Sequence, residues 1–154
     1  MSTLPIDDLE LHYEVHGQGA PLFLLHGFLG GGVDWTPFLD GFAAGHQLIV
    51  PDLRGHGRSF NVSGNVSGNI SGNVSGNASG DPSGNPSGRF THRRCAEDIL
   101  ALADALGFER FSAVGMSAGG NAMLHAATMA PARVAAMVLV SATTHFPQIG
   151  RAHV

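Results

Sequence analysis

Ser117 stands in the stretch AVGMSAGGNAMLH, pinned between Gly115 and Gly119. A serine hydroxyl is a weak nucleophile at its own pKa and needs a neighbouring base to take its proton. Residues Gly115-Met116-Ser117-Ala118-Gly119 match G-x-S-x-G, and they fall between a predicted strand and a predicted helix. That setting gives the pattern chemical meaning, because the tight turn strains the serine backbone and presents its hydroxyl at the end of a sheet. A serine at such a place can also be merely structural; the strand–turn–helix context favours the nucleophile.

A second stretch, LLHGFLGGG, follows an apolar run and offers His26, Gly27 and Phe28 ahead of three glycines. Acyl transfer passes through a tetrahedral intermediate whose oxygen becomes negative. Backbone N–H groups aimed at that oxygen stabilise it, and losing one donor costs on the order of 10²–10³ in rate. Glycines let backbone approach a substrate with no side chain in the way. A plain flexible loop would look similar. A phosphate-binding loop is excluded: the G-K-[ST] ending is absent and the chain has no lysine. No G-x-G-x-x-G dinucleotide fingerprint is present either. The third stretch, PDLRGHGRS from Pro51 to Ser59, contains Asp52 and His56. Its glycines mark turns, and both side chains read as structural rather than as partners of Ser117.

The elements that must position these residues are legible from periodicity. Leu9, Leu11, Tyr13 and Val15 alternate with polar residues, which predicts a half-buried outer strand. Pro21 to Leu25 and His46 to Val50 are apolar runs suited to strands covered on both faces. A short helix is predicted over Asp34 to Ala44, with Trp35, Phe38, Leu39 and Phe42 at helical spacing. Thr91 can cap a helix that buries Cys95, Ile99, Leu102 and Leu106 and ends at Gly107. FSAVGM is then a strand, Ala118 to Met129 a helix, and VAAMVLV another strand. Strands alternating with helices predict an α/β fold, a mostly parallel sheet with helices on both faces.

Composition narrows the function. The chain has 154 residues, 44% of them apolar, and a net charge of −4, with its eight arginines scattered. No nucleic-acid footprint is expected. MSTLPIDDLELHY lacks the basic and apolar regions of a signal peptide, and VAAMVLV is too short to span a bilayer. The single cysteine, Cys95, cannot form an internal disulfide. A cytoplasmic protein acting on a small-molecule substrate is expected, with no membrane or nucleic-acid partner; the sequence sets no oligomeric state.

From Asn61 to Gly88 the chain repeats one tetrapeptide with small changes: NVSG, NVSG, NISG, NVSG, NASG, DPSG, NPSG. It offers little to bury, so a disordered surface insert is expected, with an r.m.s. span of roughly 30 Å. Asn61, Asn65, Asn69, Asn73 and Asn77 fit glycosylation sites of a secreted protein, a reading the missing signal peptide disfavours.

The three motifs, with the helix HRRCAEDILALADALG before the elbow and the strand PARVAAMVLVSA after it, resemble the α/β-hydrolase fold family. The resemblance implies Ser117 as nucleophile, with the backbone N–H groups of Phe28 and Ala118 as oxyanion donors. It implies no metal and no organic cofactor. A serine at the elbow is unlike the haloalkane-dehalogenase and epoxide-hydrolase branches, which carry aspartate there. It fits a serine hydrolase of small carboxylic esters or lactones. Alternatives are a carbon–carbon bond hydrolase or cofactor-free perhydrolase on the same framework, or a non-catalytic fragment.

The family places the triad acid and histidine after the serine. Here the 37 residues after Ser117 hold no aspartate or glutamate. His125 lies two turns along the predicted helix, and His145 and His153 have no following strand to place them; all other histidines precede Ser117. The tail QIGRAHV can be encoded as CAG ATC GGA AGA GCA CAC GTC, which would be an in-frame reading of a common sequencing-library adaptor. The expected organisation is therefore residues 1–60 and 89–147 as the N-terminal half of a hydrolase core, 61–88 as the repeat insert, and 148–154 as a non-native tail. The resulting fragment is expected to be inactive.

Removing Asn61 to Gly84, which leaves one NPSG unit, should leave the core unchanged. Loop closure costs only about 0.6 kcal/mol per doubling of length, so the melting temperature should hold or rise slightly. A marked fall would mean that the repeat packs on the core.

Overall fold

The computed structural model describes residues 2–61 and 90–143. Of the disordered insert expected over 61–88, Asn61 is instead paired in a strand with Leu9, and the rest lies outside the described residues, as do the expected non-native tail, His145 and His153. Among the described residues seven strands form one sheet: β1 (Ser2–Ile6), β2 (Leu9–Gly17), β3 (Ala20–Leu25), β4 (His46–Pro51), β5 (Phe60–Asn61), β6 (Phe111–Met116) and β7 (Val134–Val140). Their order is β1-β2-β4-β3-β6-β7, with β5 also on β2. Pairing is parallel from β4 through β3 and β6 to β7, and antiparallel wherever β2 takes part. No helix among these residues is long and apolar enough to cross a membrane.

The unbroken apolar runs sit where both faces are covered, as a parallel sheet requires. Phe23 and Leu25 of β3 face one core with Cys95, Ile99 and Leu102 of α2 (His92–Ala105) and Ala122 and Met123 of α3 (Ala118–Met129). Leu22 and Leu24 face the other, with Trp35, Leu48 and Val50, closed by Leu39 and Phe42. The α/β sheet with helices on both faces is thus present. Thr91 caps α2 as expected, its side chain accepting from the Arg94 N–H at 3.0 Å. Gly107, at φ +75°, lets the chain leave.

Two expectations need correction. The alternating strand β2 is not the outer one, since β1 pairs along its free edge. Nor does its alternation hold to the end: His12 is buried while Val15 is 41% exposed. The loop after β4 covers His12, whose N–H donates to Ser59 Oγ and whose carbonyl accepts from Asp52 N–H. The helix predicted over Asp34 to Ala44 is instead a 3₁₀ helix (Gly32–Phe38) running into a five-residue α1 (Leu39–Ala43). Pro37 supplies no N–H for an α-turn there, and Phe38 points to solvent.

A buried ion network ties the loop after β4 to α2. The Arg54 guanidinium, 1% exposed, donates to both Asp98 oxygens at 2.8 and 2.9 Å and to Asp8 at 3.1 Å. Removing one partner of such a group strands a buried charge. Arg54→Ala should therefore destabilise the chain by about 3–5 kcal/mol in urea unfolding. A loss of ~1 kcal/mol or less, the scale of an exposed pair, would contradict this. One turn from Asp98, burial pushes the Cys95 thiol up to about 12. Cys95 should resist Ellman's reagent at pH 8 in the folded chain and react at once when it is unfolded; prompt native reaction would mean that the helix face opens.

Candidate active site

Sheet register brings the first two motifs together. Leu25 of β3 is paired with Gly115 of β6 in parallel, so two residues further on Gly27 and Ser117 arrive side by side. A Cβ added to Gly27 would lie 3.5 Å from that of Ser117. Ser117 itself occupies the junction between β6 and α3 with φ 49° and ψ −111°, a conformation L-residues rarely adopt. Such a backbone costs of order 1–3 kcal/mol and persists only when its surroundings over-determine it. Here the Ser117 N–H donates to the Val140 carbonyl at 2.8 Å, and its own carbonyl accepts from Asn121 at 2.9 Å.

The glycines do what their spacing implied. A Cβ at Gly115 would sit 2.7 Å from Gly120 backbone, and one at Gly119 would sit 2.7 Å from the His26 carbonyl. Only hydrogen on both lets α3 approach β3 and β6 closely enough for Gly119 N–H to donate to His26 O at 3.2 Å. Ala118, buried, opens α3 directly after the serine. Its N–H belongs to the first turn of a helix and so has no partner within the helix.

The loop after β3 is held from several sides. His26 is fully buried and donates from Nδ1 to the Gly27 carbonyl at 2.7 Å, while its Nε2 accepts from Leu53 N–H at 2.9 Å. Both bonds require the neutral ring, and burial lowers its pKa. With both nitrogens taken, His26 is a cross-tie and has no lone pair left for a base. Leu29 is at φ 65°, and the Gly30 N–H closes back on Gly27 O at 3.1 Å. Phe28 is half-buried, its ring edge-on to His56 and Phe90 at 5.2 and 5.1 Å between centroids.

PDLRGHGRS serves as the brace beneath this loop, in line with its structural reading. Asp52 accepts from Gly32 N–H at 2.6 Å through one oxygen, and from Arg58 N–H at 2.9 Å through the other. Burial would raise its pKa, but the backbone donors of Gly32 and Arg58 and then the Arg58 guanidinium pull it below the ordinary value. Gly57, at φ +52°, lies so close that any side chain would collide with the Asp52 carboxylate. His56 donates from Nδ1 to the Arg54 carbonyl at 2.9 Å. The buried His12 ring, 3.4 Å from Asp52, has a pKa lowered by burial and then by Arg58.

Among the described residues no histidine or carboxylate hydrogen-bonds the Ser117 hydroxyl. His125 is exposed on α3 and stacks on His92 at 6.5 Å. Sequence reasoning passed over Asn121, whose Oδ1 accepts from Thr143 N–H at 3.2 Å and so ties the chain after β7 to the elbow helix. Its position one turn after Ser117 was the available signal.

Comparison with known proteins agrees with this geometry. A family model described as the alpha/beta hydrolase fold matches residues 20–152. "Putative carbamate hydrolase RutD" of Azorhizobium caulinodans is 31% identical over 134 residues, covering 87% of this chain and 42% of that protein. Est816, described as an N-acyl homoserine lactone degrading enzyme, is 28% identical with a TM-score of 0.71, over 92% of this chain and 45% of its own. A "putative epoxide hydrolase" t131d mutant from Pseudomonas aeruginosa is also 28% identical, with a TM-score of 0.70 over 90% and 40%. The chain thus spans less than half the length of these relatives. By its sheet, its glycine-packed elbow and the family match across most of its length, the chain belongs to the α/β-hydrolase fold family.

Proposed function

We propose that the chain carries the nucleophile and oxyanion-binding elements of a serine hydrolase acting on a small carboxylic ester, lactone or related carbonyl compound. The observation that carries this reading is the strained backbone of Ser117 beside Gly27, where two parallel strands end together. Ser117 Oγ attacks the substrate carbonyl carbon, the Oγ proton passes to a base, and the alkoxide or lactone ring oxygen leaves. The tetrahedral oxygen rests on the N–H groups of Phe28 and Ala118, which preorganised backbone supplies without reorganisation. Water then resolves the acyl-enzyme. Among the described residues no histidine or carboxylate hydrogen-bonds the Ser117 hydroxyl. The chain spans less than half the length of its relatives, so this reading takes the base and its orienting acid from the rest of the full-length protein. The lactone-degrading relative supports the substrate class, and the serine at the elbow favours an acyl-enzyme over epoxide opening by an aspartate.

Without base and acid, an oxyanion hole and binding alone retain roughly 10³–10⁴ over water, and the full apparatus adds about 10⁶ in the best-measured case. The 154-residue chain should show no Ser117-dependent turnover of an activated ester. The full-length gene product should turn over and take a fluorophosphonate label, and Ser117→Ala should abolish both. Ser117-dependent turnover by the short chain at full-length rates would place a base within it, and an active full-length Ser117→Ala would remove Ser117 from the chemistry.

A further inference from the structure

The described residues resume at Phe90, one residue before the Thr91 cap of α2. Its ring does not simply fill a gap. Phe28, His56 and Phe90 form a closed triangle of edge-on contacts, with centroids 5.1 Å apart for Phe28–Phe90 and 5.2 Å for the other two pairs. His56 is buried, and its plane is set by the bond to the Arg54 carbonyl, with Arg54 locked in turn on Asp98 of α2. Among the described residues its other nitrogen, Nε2, is buried with no hydrogen-bond partner. Phe90 also touches the His92 ring edge-on at 5.7 Å, and His92 stacks on His125 of α3. A continuous run of rings therefore joins the loop that carries Phe28 to the helix that begins at Ala118.

We propose that Phe90 is a positioning residue for the oxyanion-binding loop, holding Phe28 against His56 and tying that loop to α3 through His92 and His125. The inference rests on the serine-hydrolase reading for its catalytic meaning. The peptide that carries the Phe28 N–H is held at its Gly27 carbonyl by His26 Nδ1 and the Gly30 N–H, and the rings of His56 and Phe90 hold the side chain that follows it. Edge-on aromatic pairs add specific orientation beyond the area that they bury. Two independent routes from α2, through Asp98–Arg54–His56 and through Thr91–Phe90, then converge on one ring. Phe90 is the member of that cluster that lies two residues after the repeat, directly before the cap of α2.

The test is amide hydrogen exchange on the full-length gene product, comparing wild type with Phe90→Leu, which removes the ring and keeps an apolar side chain, and Phe90→Tyr, which restores the ring. Phe90→Leu should speed exchange at Gly30 and Leu53, whose N–H groups are bonded to the Gly27 carbonyl and to His26 Nε2, by roughly tenfold or more, with the β3 and β6 amides unchanged, and Phe90→Tyr should return them to wild type. Phe28→Leu breaks the same contact from the other side and serves if Phe90→Leu does not fold: it too should loosen Gly30 selectively. In the double variant the effects should not add. Unchanged exchange, a parallel rise at all amides, or additive effects would overturn the proposal. The readout does not depend on Ser117 chemistry, so an unreactive serine and a loose Phe90 contact are separate results.

Discussion

The backbone of Ser117 is the constraint on which the rest of the site depends. A residue at φ 49° and ψ −111° cannot be held by local preference, and three separate segments hold it here. Strand β7 accepts its N–H, the first turn of α3 donates to its carbonyl, and Gly119 anchors that turn to the end of β3. Each contact needs close approach of backbone to backbone. That is why Gly115, Gly119 and Gly120 cluster at one place, where any Cβ would fall within 2.6–2.9 Å of a neighbour. The strain and the glycines are one feature seen twice. Together they put a hydroxyl at the end of the sheet.

A second layer of order lies in buried polar groups that bind loops instead of substrate. Asp52, His26 and Arg54 are each nearly inaccessible, and each spends its hydrogen-bonding capacity on main chain or on a fixed counter-charge. Such groups are costly when left unsatisfied, so they specify one arrangement of the loops they join. Asp52 sets Gly32 and Arg58, His26 sets Gly27 and Leu53, and Arg54 sets His56 and α2. Two loops distant in sequence and helix α2 thereby become one rigid unit. Asp52 and His26 resemble triad partners by type alone, and their hydrogen bonds show what they do instead.

What was legible in the sequence was what short-range physics writes there. The Thr91 cap, the positive-φ glycine after α2, the two-sided apolar runs and the G-x-S-x-G turn each follow from neighbours a few residues apart. The bounds of α3, Ala118–Met129, were readable for the same reason. Strand β1 was not: Ser2–Ile6 contains Pro5 and has no clean alternation, and it is a strand because β2 offers it an edge. The burial of His12 depends on a loop some forty residues away and leaves no local trace. Phe28 and Phe90 meet across the whole repeat, and no period or motif announces that contact. The 3₁₀ helix after Gly31 was masked by aromatic residues at helical spacing, although Pro37 was the available warning.

The central claim is that Ser117 attacks while Phe28 and Ala118 receive the oxyanion. Its most direct test is the structure of the full-length gene product after reaction with an alkyl phosphonate that mimics the tetrahedral intermediate. The account predicts a covalent bond from Ser117 Oγ to phosphorus, with one phosphonate oxygen about 2.7–3.1 Å from the backbone nitrogens of both Phe28 and Ala118. An adduct on another residue, or one on Ser117 whose oxygens all face away from those two nitrogens, would contradict it.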